Sequence, residues 1–337
     1  MTDQSRSPVA DPDDISALKE APVLYERLAA ELGKRIVGQH TVLRELFACF
    51  LAQGHALMIG VPGLAKTLIV KSLAETIKLD FRRIQFTPDL MPSDVTGSEI
   101  IEETTSGQRV FRFLPGPVFT QLLLADEINR APAKTQSALL EAMQERSVTV
   151  AGQTRKLPEP FLVLATQNPI EQEGTYPLPE AQLDRFLCCL KLDYPSAIEE
   201  AKILHATTGP TLQPVERVCS DQQLIRLQRA VRCVHLPASV AEYAVRLVRA
   251  TRPKETEATA LVKRCAQWGA GPRASQSLVL VAKAMAALEG RLNCAVDDVA
   301  AAAHVVLRHR LILNYRAEAD NLNADLVIDD LLKQVKK

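Results

Sequence analysis

The sequence lacks the features that mark membrane-spanning and nucleic-acid-binding proteins. No apolar run approaches the roughly 18 residues that a membrane-spanning helix needs, which predicts no membrane span. Lys and Arg together number 40, and so do Asp and Glu. The chain therefore has no general excess of charge that would attract nucleic acid or an acidic membrane surface.

Paired cysteine motifs and targeting segments are also missing. The seven cysteines include no Cys-x-x-Cys spacing, and an odd number inside apolar patterns indicates reduced thiols and a cytoplasmic location. Cys188 and Cys189 are adjacent, but neighbouring strand residues point to opposite faces, so we expect two buried thiols rather than a redox pair. Residues 1–14 are polar with two prolines, and they predict a disordered tail rather than a signal or transit peptide.

Hydrophobic patterning predicts an α/β core. Short apolar segments alternate with helical patterns over the first two thirds of the chain, and three of them are nearly continuous apolar runs. Such runs are typical of a parallel sheet that is covered by helices on both faces. The five predicted strands are residues 56–60, 81–86, 121–126, 161–167 and 185–193.

Two insertions and a change of pattern complete the predicted architecture. Residues 98–114 and 147–157 each predict a β-hairpin with an exposed polar tip. After residue 201 the pattern becomes helical, and a Gly- and Pro-containing stretch near residues 205–218 indicates a boundary. The predicted division is a tail and helix at 1–35, an α/β core at 36–205 and an all-α domain with a C-terminal tail at 206–337.

Residues 60–67, GVPGLAKT, predict a phosphate-binding loop. Gly60, Lys66 and Thr67 fit the pattern G-x-x-x-x-G-K-[ST], whereas Ala65 stands in place of its second glycine. Backbone N–H groups and the start of the following helix favour an anion there. We expect Lys66 to reach the β- and γ-phosphates and Thr67 to ligate Mg²⁺. A negative φ would let Ala65 replace the glycine at little cost.

Polar side chains at the ends of two predicted strands supply the remaining parts of a hydrolytic site. Asp126 and Glu127 end an apolar strand, and α/β sheets place ligands at such ends. We expect Asp126 to hold Mg²⁺ and Glu127 to polarise a water for attack on the γ-phosphate. Asn168 ends the strand at 161–167 and is a candidate to orient the same water.

Two arginines are candidates for contact with the γ-phosphate. Arg185 stands at the start of a predicted strand, where it cannot easily reach the phosphate of its own subunit. It is therefore a candidate arginine finger that acts on a neighbouring subunit. Arg273 follows Gly-Pro and begins a helix of the C-terminal domain, where it would lean over the γ-phosphate and report the nucleotide state to that domain. The plain alternative for either residue is a solvated surface arginine.

Together with these motifs, longer blocks of the sequence resemble the MoxR family of AAA+ ATPases, from about Ile36 to the helices after Arg273. The resemblance implies a P-loop AAA+ α/β core with a five-stranded parallel sheet, two inserted β-hairpins and an all-α lid. The blocks that carry it are residues 60–67, 85–97, 113–119, 122–145, 163–186 and 271–275.

The resemblance also implies a role for each candidate residue. Val37 and Gly38 match the adenine-side segment, and Asp126 and Glu127 match the Walker B acids. Asn168 matches the first sensor, Arg185 the arginine finger and Arg273 the second sensor. The Walker A loop and the residue after it supply the other nucleotide-binding candidates, Gly60, Pro62, Gly63, Leu64, Ala65, Lys66, Thr67 and Leu68.

Cofactors and partners follow from the same resemblance. It implies ATP and Mg²⁺, a homo-oligomeric ring that is typically a hexamer, a protein client to be remodelled or loaded with a metal cofactor, and a von Willebrand factor A-domain partner. One alternative is an ATP-sensing scaffold with little turnover, which the presence of Glu127, Asn168 and Arg185 argues against. A nucleic-acid motor is the other, and the neutral charge argues against it. The sequence contains no N-K-x-D run, the motif that would indicate GTP specificity.

Overall fold

The computed structural model describes residues 11–103, 105, 108–170, 174–208 and 213–337. Residues 1–10 of the predicted disordered tail, and residues 209–212 of the predicted boundary, lie outside these ranges. Residues 12–14 depart from that prediction, because the first helix begins at Pro12. The Asp11 carboxylate accepts a hydrogen bond from the Asp13 N–H (2.6 Å), and a proline at the first helical position needs no N–H partner.

Fourteen α-helices and eleven strands form the described part of the chain. The helices are α1 (Pro12–Gly33), α2 (His40–Leu51), α3 (Lys66–Ile77), α4 (Pro92–Thr96), α5 (Ala133–Glu145), α6 (Glu180–Leu183), α7 (Ala197–Thr207), α8 (Asp221–Arg232), α9 (Ala238–Ala250), α10 (Ala260–Cys265), α11 (Pro272–Leu288), α12 (Val296–Leu307), α13 (Tyr315–Ala319) and α14 (Ala324–Gln334). The strands are β1 (Ala56–Ile59), β2 (Phe81–Gln85), β3 (Gly97–Glu103), β4 (Arg109–Pro115), β5 (Leu122–Asp126), β6 (Ser147–Val150), β7 (Gln153–Lys156), β8 (Leu162–Gln167), β9 (Cys188–Lys191), β10 (Ala266–Trp268) and β11 (Ile312–Leu313).

The five predicted strands form one parallel sheet in the order β2-β5-β8-β1-β9, which confirms the α/β core. Every residue of β5 is buried, because helices cover both faces of the sheet. Alternate residues enter two separate hydrophobic clusters, with Leu122 and Leu124 in one and Leu123 and Ala125 in the other. Cys188 and Cys189 are divided in the same way, as buried thiols on opposite faces.

Both predicted hairpins are present. Strands β3 and β4 pair antiparallel, and so do β6 and β7. The second hairpin turns at Ala151 and Gly152, which both have positive φ, as a two-residue hairpin turn requires. Polar tips were predicted, and residues 104, 106 and 107 of the first tip lie outside the described ranges. The strands of the first hairpin also expose apolar side chains among their charged ones. Ile101 and Phe111 face each other across the strands and are 63% and 75% exposed.

The C-terminal part is helical as predicted, with one addition. Strands β10 and β11 form a short antiparallel pair. The apolar pattern of residues 297–313 predicts one amphipathic helix, but α12 ends at Leu307. The apolar run 311–313 fits helix and strand equally well, and pairing with β10 decides for the strand.

The helical domain packs against the start of the chain and one edge of the sheet. Helix α8 packs on α1, helix α11 packs on α1 and α2, and α12 packs on β9. Within the described ranges, no helix is both long enough and apolar enough to span a bilayer.

Candidate nucleotide site

The predicted phosphate loop connects the end of β1 to the start of α3. Gly63 and Ala65 both have positive φ, at 86° and 56°. Ala65 therefore does not have the negative φ at which alanine would replace the glycine at little cost. The alanine adopts the left-handed conformation that the glycine of the pattern would adopt, at a cost of about 1–2 kcal/mol for a residue with a Cβ. The loop keeps its backbone shape despite the substitution.

The start of α3 presents groups suited to an anion. Ala65 occupies the N-cap position and no side chain caps the helix, so backbone N–H groups of the first turn have no side-chain acceptor. The Lys66 Nζ donates a hydrogen bond to the Gly60 carbonyl oxygen at 2.6 Å, which holds the amine against the loop. Thr67 follows in the same turn and is half-buried.

An apolar pocket lies beside this loop, on the side expected for adenine. Val37, Leu64, Ala65 and Leu68 line it, together with side chains from the segment 35–39 and from α7 and the residues before it. Gly38 is adjacent, since a Cβ placed on it would lie 2.4 Å from the Glu199 carboxylate. None of the lining residues comes from 213–337, so the lid does not line this pocket.

Asp126 is a buried carboxylate at the carboxyl end of β5. Its Oδ1 accepts a hydrogen bond from the Thr166 hydroxyl at 2.6 Å, and its Oδ2 pairs with Arg83 at 2.6 Å. Arg83 and Thr166 lie on the strands either side of β5, so the sheet itself fixes the orientation of the carboxylate.

Glu127, directly after β5, has an unusual backbone conformation. Its φ of 55° places a non-glycine residue in the left-handed region, which is a local strain of the kind found at functional sites. Its N–H donates to the Thr166 hydroxyl at 2.8 Å. Its carboxylate accepts hydrogen bonds from Gln85 at 2.8 Å and Arg130 at 3.2 Å. Thr166 therefore contacts both acids.

Asn168 directly follows β8, the strand between β5 and β1. It is buried, and its Oδ1 accepts the Ile170 N–H at 3.1 Å in a local turn. The strands are parallel and in register, with Met58 beside Thr166 and Ala125 beside Ala165. The phosphate loop, both acids and Asn168 thus meet at one edge of the sheet, the edge formed by the carboxyl ends of its strands.

The two candidate arginines lie at the opposite edge, the edge formed by the amino ends of the strands. Arg185 lies before the start of β9. Leu187, the residue directly before β9, donates its N–H to the carbonyl of His55, the residue directly before β1. The length of β1, about 15 Å with its flanking residues at roughly 3.3 Å per residue, separates this position from the loop. Arg273 lies there too, with its guanidinium 3.9 Å from the Asp184 carboxylate. The expectation that Arg273 leans over the phosphate of its own chain is therefore wrong.

Four residues near the acids were missed by sequence reasoning: Arg83, Gln85, Arg130 and Thr166. The contacts of Arg83, Gln85 and Thr166 are set by the pairing of β2, β5 and β8, which the sequence does not give, whereas Arg130 is three residues after Glu127 and its ion pair is local. Thr166 had one usable signal, since it is a polar residue directly after the apolar run of residues 161–165. A polar residue there needs a buried hydrogen-bonding partner.

The donor set suits a magnesium ion that is shared with phosphate. In the described ranges, no group of three or more His, Cys, Asp or Glu side chains is placed to hold a metal by itself. Mg²⁺ in nucleotide sites takes one or two protein oxygens and fills its shell with phosphate oxygens and water. The buried Asp126 carboxylate and the Thr67 hydroxyl at the start of α3 fit that requirement.

Comparison with known proteins agrees with this geometry. Residues 55–188 match the ATPase family associated with various cellular activities (AAA), and residues 258–331 match the AAA lid domain. The chain is 45% identical to Chaperone MoxR1 of Mycobacterium tuberculosis over 92% of its own length and 81% of the relative. It is 32% identical to Protein MoxR of Paracoccus denitrificans, over 85% and 87% of the two lengths.

A solved structure supports the same assignment. The crystal structure of a candidate ATPase from Cytophaga hutchinsonii superposes with a TM-score of 0.87 at 41% identity, and covers 95% of this chain and 97% of that one. The shared fold, the paired AAA and lid matches and the MoxR relatives lead to one conclusion. This chain belongs to the MoxR family of AAA+ ATPases.

Proposed function

We propose that this chain hydrolyses ATP with Mg²⁺ in a ring of identical subunits and uses the cycle to remodel a partner protein. The observation that carries the proposal is the strained Glu127 beside the buried Asp126, both bound by Thr166 at the edge where the phosphate loop lies. The proposed unit of function is the core at 36–205 with the lid at 206–337, preceded by the tail and helix at 1–35.

Different residues of one subunit bind the adenine, the phosphates and the Mg²⁺ ion. Val37, Leu64 and Leu68 surround the adenine, while the amides of the loop and Lys66 bind the phosphates. Lys66 exchanges the Gly60 carbonyl for a phosphate oxygen as it does so. Mg²⁺, held by Thr67 and Asp126, would neutralise charge on the β- and γ-phosphates.

Glu127 and Asn168 act on the attacking water. Asn168 orients the water and Glu127 accepts its proton as the water oxygen bonds to the γ-phosphorus and the bond to the β–γ bridging oxygen breaks, which releases ADP. To do so Glu127 exchanges its hydrogen bond from Gln85 for the water. Because the Glu127 N–H stays bound to Thr166, only the side chain needs to move.

Arg185 completes the site of a neighbouring subunit, and Arg273 accompanies it. Both stand at the sheet edge opposite their own phosphate loop. The Arg185 guanidinium has no hydrogen bond or ion pair with any residue in the described ranges, which leaves it available to a phosphate outside its own chain. A contact between opposite ends of identical subunits is heterologous, and it closes into a ring, for which we propose six subunits.

Replacing Glu127 by Gln tests the hydrolytic assignment. Glu127→Gln keeps the size and shape of the side chain but removes the base, so ATP binding should persist while turnover falls about 10²–10⁴-fold. Lys66→Ala is the control that should lose nucleotide binding itself. Undiminished turnover in Glu127→Gln would exclude Glu127 as the base. Tight binding without turnover in the unmodified protein would instead favour the ATP-sensing scaffold.

The partner in this proposal is a protein client, with a von Willebrand factor A-domain protein as adaptor, in the cytoplasm. The name of the mycobacterial relative, a chaperone, supports a protein client. The exposed Ile101 and Phe111 on the β3–β4 hairpin offer an apolar contact surface. Glu127→Gln held in ATP should retain client and adaptor that Lys66→Ala does not retain. Identical sets of bound proteins would contradict nucleotide-dependent engagement.

A further inference from the structure

Three consecutive lid residues, which follow α12, bind the backbone of the segment that carries Arg185. Arg308 donates to the Cys189 carbonyl at 2.7 Å. The His309 Nε2 lies 3.1 Å from the Phe186 carbonyl oxygen. Arg310 reaches Phe186 and Leu187 as well. One short piece of the lid therefore fixes residues on both sides of the start of β9.

Arg310 is the centre of this contact, because its guanidinium is buried and has polar partners on every side. It pairs with the Asp184 carboxylate at 2.7 Å and donates to the Phe186 carbonyl at 2.7 Å and the Leu187 carbonyl at 3.2 Å. Arg310 is 7% exposed. The planar fork of an arginine fits several fixed acceptors at once, which a lysine cannot match.

Asp184 connects this buried arginine to an exposed one. Its Oδ1 accepts the short bond from Arg310, and its Oδ2 lies 3.9 Å from the Arg273 guanidinium, which is 47% exposed. The first contact is shielded and the second is long and open to solvent, so Arg273 can leave Asp184 while Arg310 stays bound.

Arg185 has short-range backbone support, since its N–H donates to the Gln182 carbonyl at 3.1 Å and the Phe186 N–H donates to the Leu183 carbonyl at 3.0 Å, and the lid residues add contacts from a distant part of the chain. The helix before it, α6, has only 4 residues. A guanidinium that must meet a phosphate on another subunit has to be placed accurately, since an error of about 1 Å can cost about 10²-fold in rate.

We propose that Asp184 and Arg310 are positioning residues that hold the turn carrying Arg185, and so join the lid of one subunit to the catalytic site of the next. The inference rests on the proposed role of Arg185 in trans. A movement of α12 against β9 then moves the finger, because residues 308–310 are bonded to the backbone that follows it.

The test replaces Asp184 and measures turnover and nucleotide affinity separately. Asp184→Asn keeps the shape of the side chain but removes the charge that holds Arg310. Turnover should fall about 10²-fold while the affinity for ATP stays within error, because the phosphate loop of the same chain is untouched. Asp320→Asn is the matched control, since it removes one exposed carboxylate of the lid, paired with Arg264 at 3.2 Å, and should leave turnover unchanged.

Subunit mixing separates a positioning role from simple damage. Glu127→Gln subunits cannot hydrolyse ATP but keep an intact finger, so mixing them with Asp184→Asn subunits should restore turnover. Mixing Asp184→Asn with Arg185→Ala subunits should restore none, because both then lack a working finger. A variant damaged in its own nucleotide site would show the reverse pattern.

Three results would overturn the inference: full turnover in Asp184→Asn, a loss of ATP affinity equal to the loss of turnover, or recovery on mixing with Arg185→Ala. Should Asp184→Asn fail to fold, Arg310→Lys takes its place with the same expectations, because it keeps the charge and loses only the fork. Full turnover in Arg185→Ala is a different outcome, and it would refute the proposed finger itself.

Discussion

Ala65 has a side chain at a backbone conformation that favours glycine, and the fold accommodates it. At φ 56° the alanine lowers the stability of the folded chain by about 1–2 kcal/mol relative to a residue without a Cβ. Glycine would remove that strain but would lose about 0.4–1 kcal/mol through the greater freedom of the unfolded chain. The two effects nearly offset each other, with a small balance in favour of glycine.

We therefore expect Ala65→Gly to raise the free energy of unfolding by up to about 1 kcal/mol. Ala30→Gly is the matched control, because Ala30 is exposed in the interior of α1, where glycine should lower stability by about 1 kcal/mol. Chemical denaturation of both variants measures the difference. Equal losses at the two positions would contradict the assigned backbone conformation at Ala65.

Thr166 is the residue on which the two acids depend most directly. Its hydroxyl donates to Asp126 and accepts from the Glu127 N–H, and the side chain is fully buried. Thr166→Val keeps the shape but removes the hydrogen bonds to the Asp126 Oδ1 and from the Glu127 N–H, while Arg83 stays paired with the Asp126 Oδ2, so the free energy of unfolding should fall by about 1–3 kcal/mol.

Turnover of Thr166→Val should fall more than its stability alone explains, because the strained Glu127 backbone loses its only side-chain acceptor at that N–H. Thr166→Ser restores the hydroxyl and should recover most of the turnover. Steady-state ATP hydrolysis of the two variants, at a temperature where both are folded, makes the comparison. Equal activity in valine and serine variants would count against the role of the hydroxyl.

At the scale of elements, His55 ties three of them together. Its Nδ1 accepts the Val163 N–H of β8 at 3.0 Å, and its Nε2 lies 3.1 Å from the Met143 carbonyl of α5. The ring is buried directly before β1, and burial lowers the pKa of His55 to about 4. The folded protein therefore holds the imidazole neutral at pH values where the unfolded chain would protonate it.

The pH dependence follows from the sign of that shift. With a folded pKa of about 4 and an unfolded pKa of 6.5, the contribution of His55 is complete above pH 6.5 and is lost as the pH falls toward 4. The loss amounts to about 3 kcal/mol of unfolding free energy. His55→Asn should be less stable at pH 8 but should lose less on acidification. Parallel pH profiles for the two proteins would contradict this account.

The sequence predicted the elements well where their patterns were strong. All five core strands and both hairpins were predicted from apolar runs and turn residues, and the structure confirms them. Strand order came from pairing over long sequence distances, so the partners of Asp126 and Glu127 were not predictable. The lid packs on α1, α2 and β9, a tertiary choice that no local pattern records, which is why Arg273 was misplaced.

For the whole molecule, the separation of loop and finger predicts a dependence on concentration. A subunit alone has Lys66 and Glu127 at the carboxyl ends of the strands and Arg185 at the opposite end, so under the proposed role of Arg185 it cannot complete its own site. Turnover per subunit should rise with protein concentration as assemblies form, toward the gain of about 10³–10⁵ that arginine fingers provide. ATP hydrolysis over a dilution series, with light scattering for assembly, measures this. Turnover per subunit that stays constant while assemblies dissociate would exclude a finger in trans.

The burial of the native thiols has a practical consequence for such experiments. Cys233 is half-buried and the other six cysteines are buried, and burial raises the pKa of Cys189 and Cys219 to about 12. Maleimide dyes react with the thiolate, which these groups scarcely form at neutral pH. A single cysteine added to the surface can therefore carry a fluorophore without first removing the natural ones, and energy transfer between two such dyes reports subunit exchange as it happens.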